Sequence, residues 1–189
     1  MKKLLILVLT GIVAVACNQK KPDNATVEPT EVEVSDSTIY GICGSGTMMH
    51  TLELITNMDD TLTIFINDED ADQMTEVAGG LMCGDRMAVT AYKTDDGLTA
   101  SRVINITSLI GKWSSIDKKF EITEDGDVQS EVKAESNTWT SWRILNGQLL
   151  LNRDTFDIIT LGADSLELEN HDGIYYYKRL HDALPEEAL

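Results

Sequence analysis

Three cysteines carry the most reactive side chains of this 189-residue sequence: Cys17, Cys43 and Cys83. Cys17 directly follows a run of thirteen apolar or small residues, 4–16, and two lysines precede that run. A basic start, an apolar stretch of this length and small residues at its end are typical of a secretory signal peptide. We therefore predict that residues 1–16 are removed and that a cysteine becomes the first residue of the mature chain.

The four residues Ala14-Val15-Ala16-Cys17 resemble the lipobox of bacterial lipoproteins. The resemblance implies that the Cys17 thiol becomes a thioether to diacylglycerol and that the new amino group is acylated. Such a chain is held on the membrane by its lipid, since stable anchoring needs more than one acyl chain. One alternative is an ordinary secreted protein with a chance cysteine. Another is a transmembrane helix, but thirteen residues at ~1.5 Å each are short for a ~30 Å hydrocarbon core.

The segment after Cys17 has the composition of a tether. Residues 18–37 contain two prolines and several Thr, Glu and Val residues without hydrophobic periodicity. Such a segment buries too little apolar surface to offset the entropy of ordering it, so we predict a lipidated tether over residues 17–37. Val32 and Val34 alternate with glutamates, which leaves open that the tether adds to an edge strand. In the lipoprotein family, Asn18 after the cysteine implies the outer membrane, on its periplasmic or its outer side.

The charge of the chain excludes two classes of partner. The formal net charge is −17, and it becomes −19 once Lys2 and Lys3 leave with the signal peptide. An acidic surface of this kind argues against binding to nucleic acid or to anionic lipid headgroups. The whole chain is 42% hydrophobic and 25% charged, which is typical of a globular protein, and the residues after the signal peptide suffice for one large or two small domains.

Between residues 38 and 107 the pattern is that of a β-domain. Alternating apolar residues and turn signals predict strands at 38–43, 48–56, 61–67, 86–93 and 98–106. Acidic residues followed by glycines predict a short helix over 68–77. Five strands with a helix between the third and fourth resemble the OB-fold order, which implies a five-stranded barrel. Its three basic residues against eleven acidic ones do not suit the basic groove of nucleic-acid-binding OB folds, so we expect a structural or protein-binding barrel.

In an OB order the first strand lies antiparallel to the fourth, which brings Cys43 and Cys83 close together. In an oxidising envelope we therefore predict a disulfide, which would stabilise the fold by ~4 kcal/mol on the chain-entropy model. Two buried free thiols are the first alternative. A metal site is the second, although the sequence has no Cys-x-x-Cys motif and no histidine close by to complete a zinc site.

Between residues 108 and 181 strands recur at about nine-residue spacing, with hairpin turns between them. This pattern predicts an eight-stranded meander closed into a small barrel, with residues 182–189 as a frayed tail. Gly111-x-Trp113 at its start, with Trp142 and a late Tyr-Lys-Arg run ending at Arg179, resembles the lipocalin-like domain of Bacteroidetes lipoproteins. The resemblance implies that Gly111 and Trp113 open the barrel and that Arg179 packs across Trp113 to close one end.

Whether this second barrel is filled or hollow decides between two functions. An eight-stranded barrel is just wide enough to be filled by side chains or to hold one small ligand, and its short strands favour filling. A hollow barrel would bind a small hydrophobic ligand, with Trp113, Trp142 and Tyr176 as its contacts. Side chains alternate between the two faces of a strand, so Tyr176 points opposite to Tyr175 and Tyr177, and at least one of the three is expected to face a partner.

The remaining polar residues form no recognisable catalytic or metal-binding motif. The three histidines, His50, His171 and His181, are scattered, and no Gly-x-Ser-x-Gly motif is present. The acidic run 68–72 lacks the Gly and the Glu that a calcium loop requires. We predict no enzyme activity, no metal and no other cofactor.

The sequence thus predicts an all-β lipoprotein that binds a protein or an envelope polymer. The alternative is binding of a small hydrophobic ligand in the second barrel. Protease inhibition, known among lipocalin relatives, is a third hypothesis, for which no reactive loop stands out.

Overall fold

The computed structural model describes residues 35–67, 73–130 and 138–181. Within these ranges the chain is all-β, with one short helix, α1, at Ile106–Leu109. The predicted signal peptide, Cys17, most of the tether and the tail 182–189 lie outside the described residues.

The first sheet contains six strands, whose bounds are β1 Ile39–Cys43, β2 Thr51–Thr56, β3 Thr61–Phe65, β4 Glu76–Ala78, β5 Arg86–Thr94 and β6 Gly97–Asn105. Five of them close into a barrel in the order β3-β2-β1-β5-β6, and a parallel pairing of β3 with β6 completes the ring. This strand order confirms the predicted OB-like barrel. Its interior is filled by the inward-facing side chains Cys43, Leu52, Leu54, Ile64, Met87, Val89, Ala100 and Val103.

The helix predicted over 68–77 is wrong in the part of that segment that the structure describes. Glu76–Ala78 forms the strand β4, which runs parallel to β6 with Val77 opposite Val103. The Thr75 hydroxyl donates to the carbonyl of Ala100 at 2.7 Å, which holds the chain along the sheet. Pairing with a distant strand therefore overrides the local helix signals.

The short helix instead follows β6 and links the two sheets. The Asn105 side chain caps α1, because its Oδ1 accepts a hydrogen bond from the backbone N–H of Ser108 at 2.9 Å. The Asn105 amide group also donates to Asp85 at 2.7 Å, which fixes the cap to the turn before β5.

The second sheet contains eight strands, whose bounds are β7 Gly111–Ser114, β8 Lys119–Ile122, β9 Val128–Ser130, β10 Trp142–Leu145, β11 Gln148–Leu151, β12 Asp154–Leu161, β13 Ser165–Asn170 and β14 Gly173–Arg179. They form an antiparallel meander in the order β10-β11-β12-β13-β14-β7-β8-β9. An isolated bridge between Asp127 and Ser141 joins its two ends. The barrel is therefore nearly closed, which confirms the predicted eight-stranded architecture.

Large side chains fill the interior of this second barrel. Phe120 contacts Trp139 and Tyr177 edge to face, with ring centroids 5.2 and 5.1 Å apart. Trp139 contacts Phe156 in the same way at 5.6 Å. Aliphatic side chains that are at most 2% exposed occupy the rest, namely Ile122, Ile144, Leu149, Leu151, Ile158, Leu166 and Leu168. Each aromatic pair adds about 0.5–1.5 kcal/mol beyond its buried area, so this packing favours a rigid interior.

The hydrophobic core of the second barrel extends to the surface of the first barrel, whose own interior is a separate cluster. Ala88, Ile104 and Ile106 belong to the same buried cluster as the interior of the second barrel. At the edge of this contact the Tyr40 hydroxyl donates to the carbonyl of Ile144 at 2.6 Å, and burial raises the pKa of Tyr40 above its usual value. The barrels therefore hold each other in a fixed arrangement.

The predicted disulfide between Cys43 and Cys83 is not formed. The backbones do meet, because Cys43 donates to the carbonyl of Asp85 and Gly84 donates to the carbonyl of Cys43, both at 2.8 Å. The Cys43 side chain, however, points into the first barrel and lies 3.3 Å from the Thr47 hydroxyl, whereas Cys83 is exposed on a turn. Both thiols are free, since pairing would require Cys43 to leave the core.

Candidate functional site

One end of the second barrel is closed by Trp113 and Arg179. The Trp113 side chain is completely buried, and its indole N–H donates to the carbonyl of Leu109 at 2.9 Å. The guanidinium carbon of Arg179 lies 4.1 Å from the centre of the Trp113 ring. This is a cation–π contact within the range in which such pairs attract.

Three backbone carbonyls hold the guanidinium of Arg179 in place. Its Nε donates to Ala163 at 2.6 Å, its Nη1 donates to Ile110 at 2.9 Å, and its Nη2 donates to Ser108. Partial burial lowers the pKa of Arg179 from its usual value, and nearby Asp164 opposes this shift. Arg179 therefore connects β14 to the segment before β7 and to the turn before β13.

Gly111 is the third member of this closure. Its φ of 133° lies in the region that favours glycine, and a Cβ there would come 2.5 Å from Nη1 of Arg179. Gly111, Trp113 and Arg179 thus lie together at a packed barrel end. Their contacts are structural, and the indole ring is not accessible to a ligand.

The structure does not bring Trp113, Trp142 and Tyr176 into one pocket. Trp113 lies inside the barrel, Trp142 is half-buried with its indole N–H donating to the carbonyl of Thr123 at 2.8 Å, and Tyr176 is 66% exposed on the outer face. The sequence analysis named none of the interior aromatic residues Phe120, Trp139 and Phe156 as site candidates. Trp139 lies within the strand predicted over 138–145, but β10 begins only at Trp142.

A groove of about 610 Å³ lies on the outer face of the second barrel. We call it the outer groove; its main lining residues are Ile116, Thr160, Glu167, Tyr176, Lys178 and Leu180. Ile116, in the turn between β7 and β8, is fully exposed. An exposed isoleucine and an exposed tyrosine that line the same concave surface are typical of a recognition site, since aromatic residues are enriched in binding interfaces.

Tyr176 lies next to Glu167 across the sheet. Thr160, Glu167 and Tyr176 are register partners on three adjacent strands. The Thr160 hydroxyl donates to the Glu167 carboxylate at 3.2 Å, and the negative charge of Glu167 and a hydrogen bond to it raise the pKa of Tyr176.

We expect Glu167→Gln to lower the pKa of Tyr176 towards its usual value of 10.0, because the phenolate would no longer face a carboxylate. Ultraviolet difference titration of the full chain measures this shift, and Tyr176→Phe assigns the signal. Glu169→Gln, on the same strand but opposite Ile174, is the matched control and should leave the pKa nearly unchanged. Equal titration curves for Glu167→Gln and the parent chain would contradict the described geometry.

A second concavity, of about 620 Å³, lies between the two barrels. We call it the inter-barrel cleft. One wall is β4 with Met74 and Thr75 before it, and the other is formed by residues 157–159 of β12 with Glu169 of β13. Arg102 lies at its base, with Nη1 2.9 Å from the Glu76 carboxylate and 3.7 Å from that of Asp157.

The histidines lie apart from both concavities just described. His171 is 3.1 Å from Asp172 and His181 is 2.7 Å from Asp164, both at exposed positions, and His50 lines a further concavity at one end of the first barrel. Across residues 35–67, 73–130 and 138–181, no three His, Cys, Asp or Glu side chains are grouped so as to hold a metal ion. In the same ranges no helix has the length and apolarity needed to cross a bilayer.

No protein-family model, curated protein or solved structure matches this chain.

Proposed function

We propose that this chain is a lipid-anchored, non-catalytic binding protein of the bacterial outer membrane. Its second barrel recognises a protein or an envelope polymer through the outer groove. One observation carries this proposal: Tyr176 is 66% exposed in a groove of about 610 Å³, whereas the interior of the same barrel is packed.

The outer groove combines apolar side chains with charged side chains, a composition that suits binding of a partner. Ile116 and Tyr176 offer apolar surface that a partner can cover, and burial of such surface favours association. Glu167 and Lys178 at the rim provide one carboxylate and one amine for orientation. Aromatic anchors surrounded by polar groups are the usual composition of binding hot spots.

The segment between the proposed lipid anchor and the first described residue is long enough to separate the barrels from the membrane. Ser35 is the first described residue, and its carbonyl accepts a hydrogen bond from the Asn146 side chain at 3.1 Å. The seventeen residues between Cys17 and Ser35 can span about 56 Å at ~3.3 Å per residue. A lipid on Cys17 would therefore leave the second barrel free to meet partners away from the headgroups.

Binding of a small hydrophobic ligand inside the second barrel has weaker support. The side chains that would line such a pocket are in van der Waals contact with each other, including Phe120, Phe156 and Tyr177. A ligand would have to displace them, and displacing packed aromatic side chains is costly.

Photo-crosslinking of the full chain in intact bacterial cells tests the proposal. Benzoylphenylalanine is placed at position 176 or 116, in the outer groove, and at position 58 as the control, because Met58 is 85% exposed on the β2–β3 turn. We expect a discrete crosslinked species from positions 176 and 116 that position 58 does not give. The same species from all three positions, or none from the groove, would overturn the proposal.

A further inference from the structure

We infer that the inter-barrel cleft binds a cationic protein segment that also presents apolar side chains. The cleft lies beyond the outer groove and uses different residues. The inference therefore stands or falls independently of the function proposed above.

Apolar side chains reach the cleft from both barrels. Met74 and Ile159 are each 50% exposed and Val77 is 37% exposed, and all three line it. Ile159 is the extra residue of a β-bulge in β12, where the register with β13 shifts between Ile158 and Thr160. Bulges redirect a side chain away from the regular alternation, and here the bulge leaves an isoleucine half-exposed in the cleft.

Carboxylates surround these apolar side chains. Asp157 lies directly opposite Glu169 across β12 and β13, an arrangement of like charges that is unfavourable by itself. Glu76 adds a third carboxylate from the other wall, and it is 57% exposed. Arg102 already contacts Glu76 and Asp157, so a bound positive charge would act mainly on Glu169 and offset its repulsion by Asp157.

Among the described residues that line the cleft, Arg102 is the basic one, and its guanidinium already contacts two carboxylates. Nη1 contacts Glu76 and Asp157, and Nη2 donates to the carbonyl of Ile158 at 2.5 Å. Its side chain is 17% exposed, so it serves as the base of the cleft rather than as its rim. The rim therefore remains acidic, and a chain of net charge −17 attracts a cationic partner over longer distances as well.

The edge of β4 offers backbone groups to an extended segment. All three residues of β4 line the cleft, so the strand borders it with an edge rather than with one face. β4 is the last strand in the order of its sheet, and β6 is its one pairing partner among the described strands. Exposed strand edges bind extended peptides through main-chain hydrogen bonds, while alternate side chains give specificity.

The acidic rim of the cleft favours a cationic segment over two other candidate occupants, the chain's own N-terminal segment and a second copy of the chain. The chain's own segment 18–34 carries two lysines against four acidic residues, so its net charge is −2. A second copy of the chain would bring another −17. Both are repelled by the carboxylate rim, whereas a segment that alternates lysine or arginine with apolar residues complements it.

The experiment titrates the full chain in detergent with a synthetic peptide of alternating lysine and leucine, followed by fluorescence anisotropy. A peptide of alternating glutamate and leucine is the probe control. The cleft variant is Glu169→Gln combined with Ile159→Ser. The matched control variant is Asp60→Asn combined with Met58→Ser, which removes one exposed carboxylate and one exposed apolar side chain on the β2–β3 turn.

We expect saturable binding of the lysine peptide to the parent chain and to the control variant, and about tenfold weaker binding to the cleft variant. Absence of binding, equal binding by both variants, or equal binding of the glutamate peptide would overturn the inference. A photo-crosslinker at position 159 locates the contact. Crosslinks to the lysine peptide support the inference, and crosslinks to the segment 18–34 or to a second copy instead would also overturn it.

Discussion

Arg179→Ala is expected to lower the free energy of unfolding by about 3 kcal/mol. Each hydrogen bond to a charged group contributes about 1.5–3 kcal/mol. The total for the three bonds is reduced because the side chain is partly exposed to solvent. The substitution removes the donors to the carbonyls of Ser108, Ile110 and Ala163 and the contact with the Trp113 ring. Urea unfolding followed by tryptophan fluorescence measures the change.

Lys178→Ala is the matched control for Arg179→Ala, because Lys178 is the preceding residue of β14 and its side chain is exposed. We expect it to change stability by no more than about 0.5 kcal/mol, as surface substitutions usually do. Arg179→Lys should recover little, since an ammonium group cannot reach three carbonyls in the fixed geometry of a guanidinium. Equal costs for Arg179→Ala and Lys178→Ala would show that Arg179 does not close the barrel.

Gly41→Ala is expected to cost about 3 kcal/mol, at the upper end of what overpacking usually costs. Gly41 is central in β1, which pairs with β2 on one side and β5 on the other. A Cβ at this position would overlap the backbone carbonyl oxygen of Ile55 and come 2.9 Å from Cγ of Leu54, which is buried. Neither neighbour can move without opening the barrel, so thermal unfolding should occur at a clearly lower temperature.

Gly44→Ala provides the comparison for Gly41→Ala. The atoms that its Cβ would meet belong to the side chain of Glu53, which is flexible and can turn away. We expect a cost below about 1 kcal/mol, since the backbone need not shift. If the two variants unfold at the same temperature, the close approach of β1 and β2 at Gly41 is not as described.

The meander order of the second barrel follows from local signals in the sequence, whereas the order of the first barrel was predicted from its resemblance to the OB-fold order. Asn146 and Gly147 form a two-residue turn with φ values of 50° and 83°, the positive values that a type I′ hairpin turn requires. The Asn-Gly pair between two apolar stretches predicts this turn without knowledge of the rest of the chain. Repeated turns of this kind fix an antiparallel meander, which is why the second barrel could be predicted.

The wrong predictions concern features that local signals do not determine. β4 exists because Val77 pairs with Val103, a contact between residues far apart in the sequence. The cysteine prediction placed the two backbones correctly but not the side chains. Cys43 and Gly41 are alternate residues of β1, and both are buried in the first barrel. Cys83 lies on a turn, where the regular alternation of a strand does not apply.

The candidate sites depend on register and on packing between elements. The outer groove requires β14 to pair with β7, which places Lys178 opposite Ser114 and so brings Tyr176 towards the turn that carries Ile116. The inter-barrel cleft requires the two barrels to pack as they do, because its walls come from different sheets. The sequence alone shows neither the register of β14 with β7 nor the packing of the two barrels. It does indicate that one tyrosine of the run 175–177 faces outward.

Native mass spectrometry of the full-length protein purified from the membrane fraction tests the central claim most directly, since one spectrum reports both the anchor and the contents of the barrel. We expect a polypeptide that begins at Cys17, carries covalently bound acyl chains and holds no additional small molecule. An unmodified N-terminus, or a hydrophobic molecule that is released on denaturation, would contradict a lipid-anchored protein that binds through its outer surface.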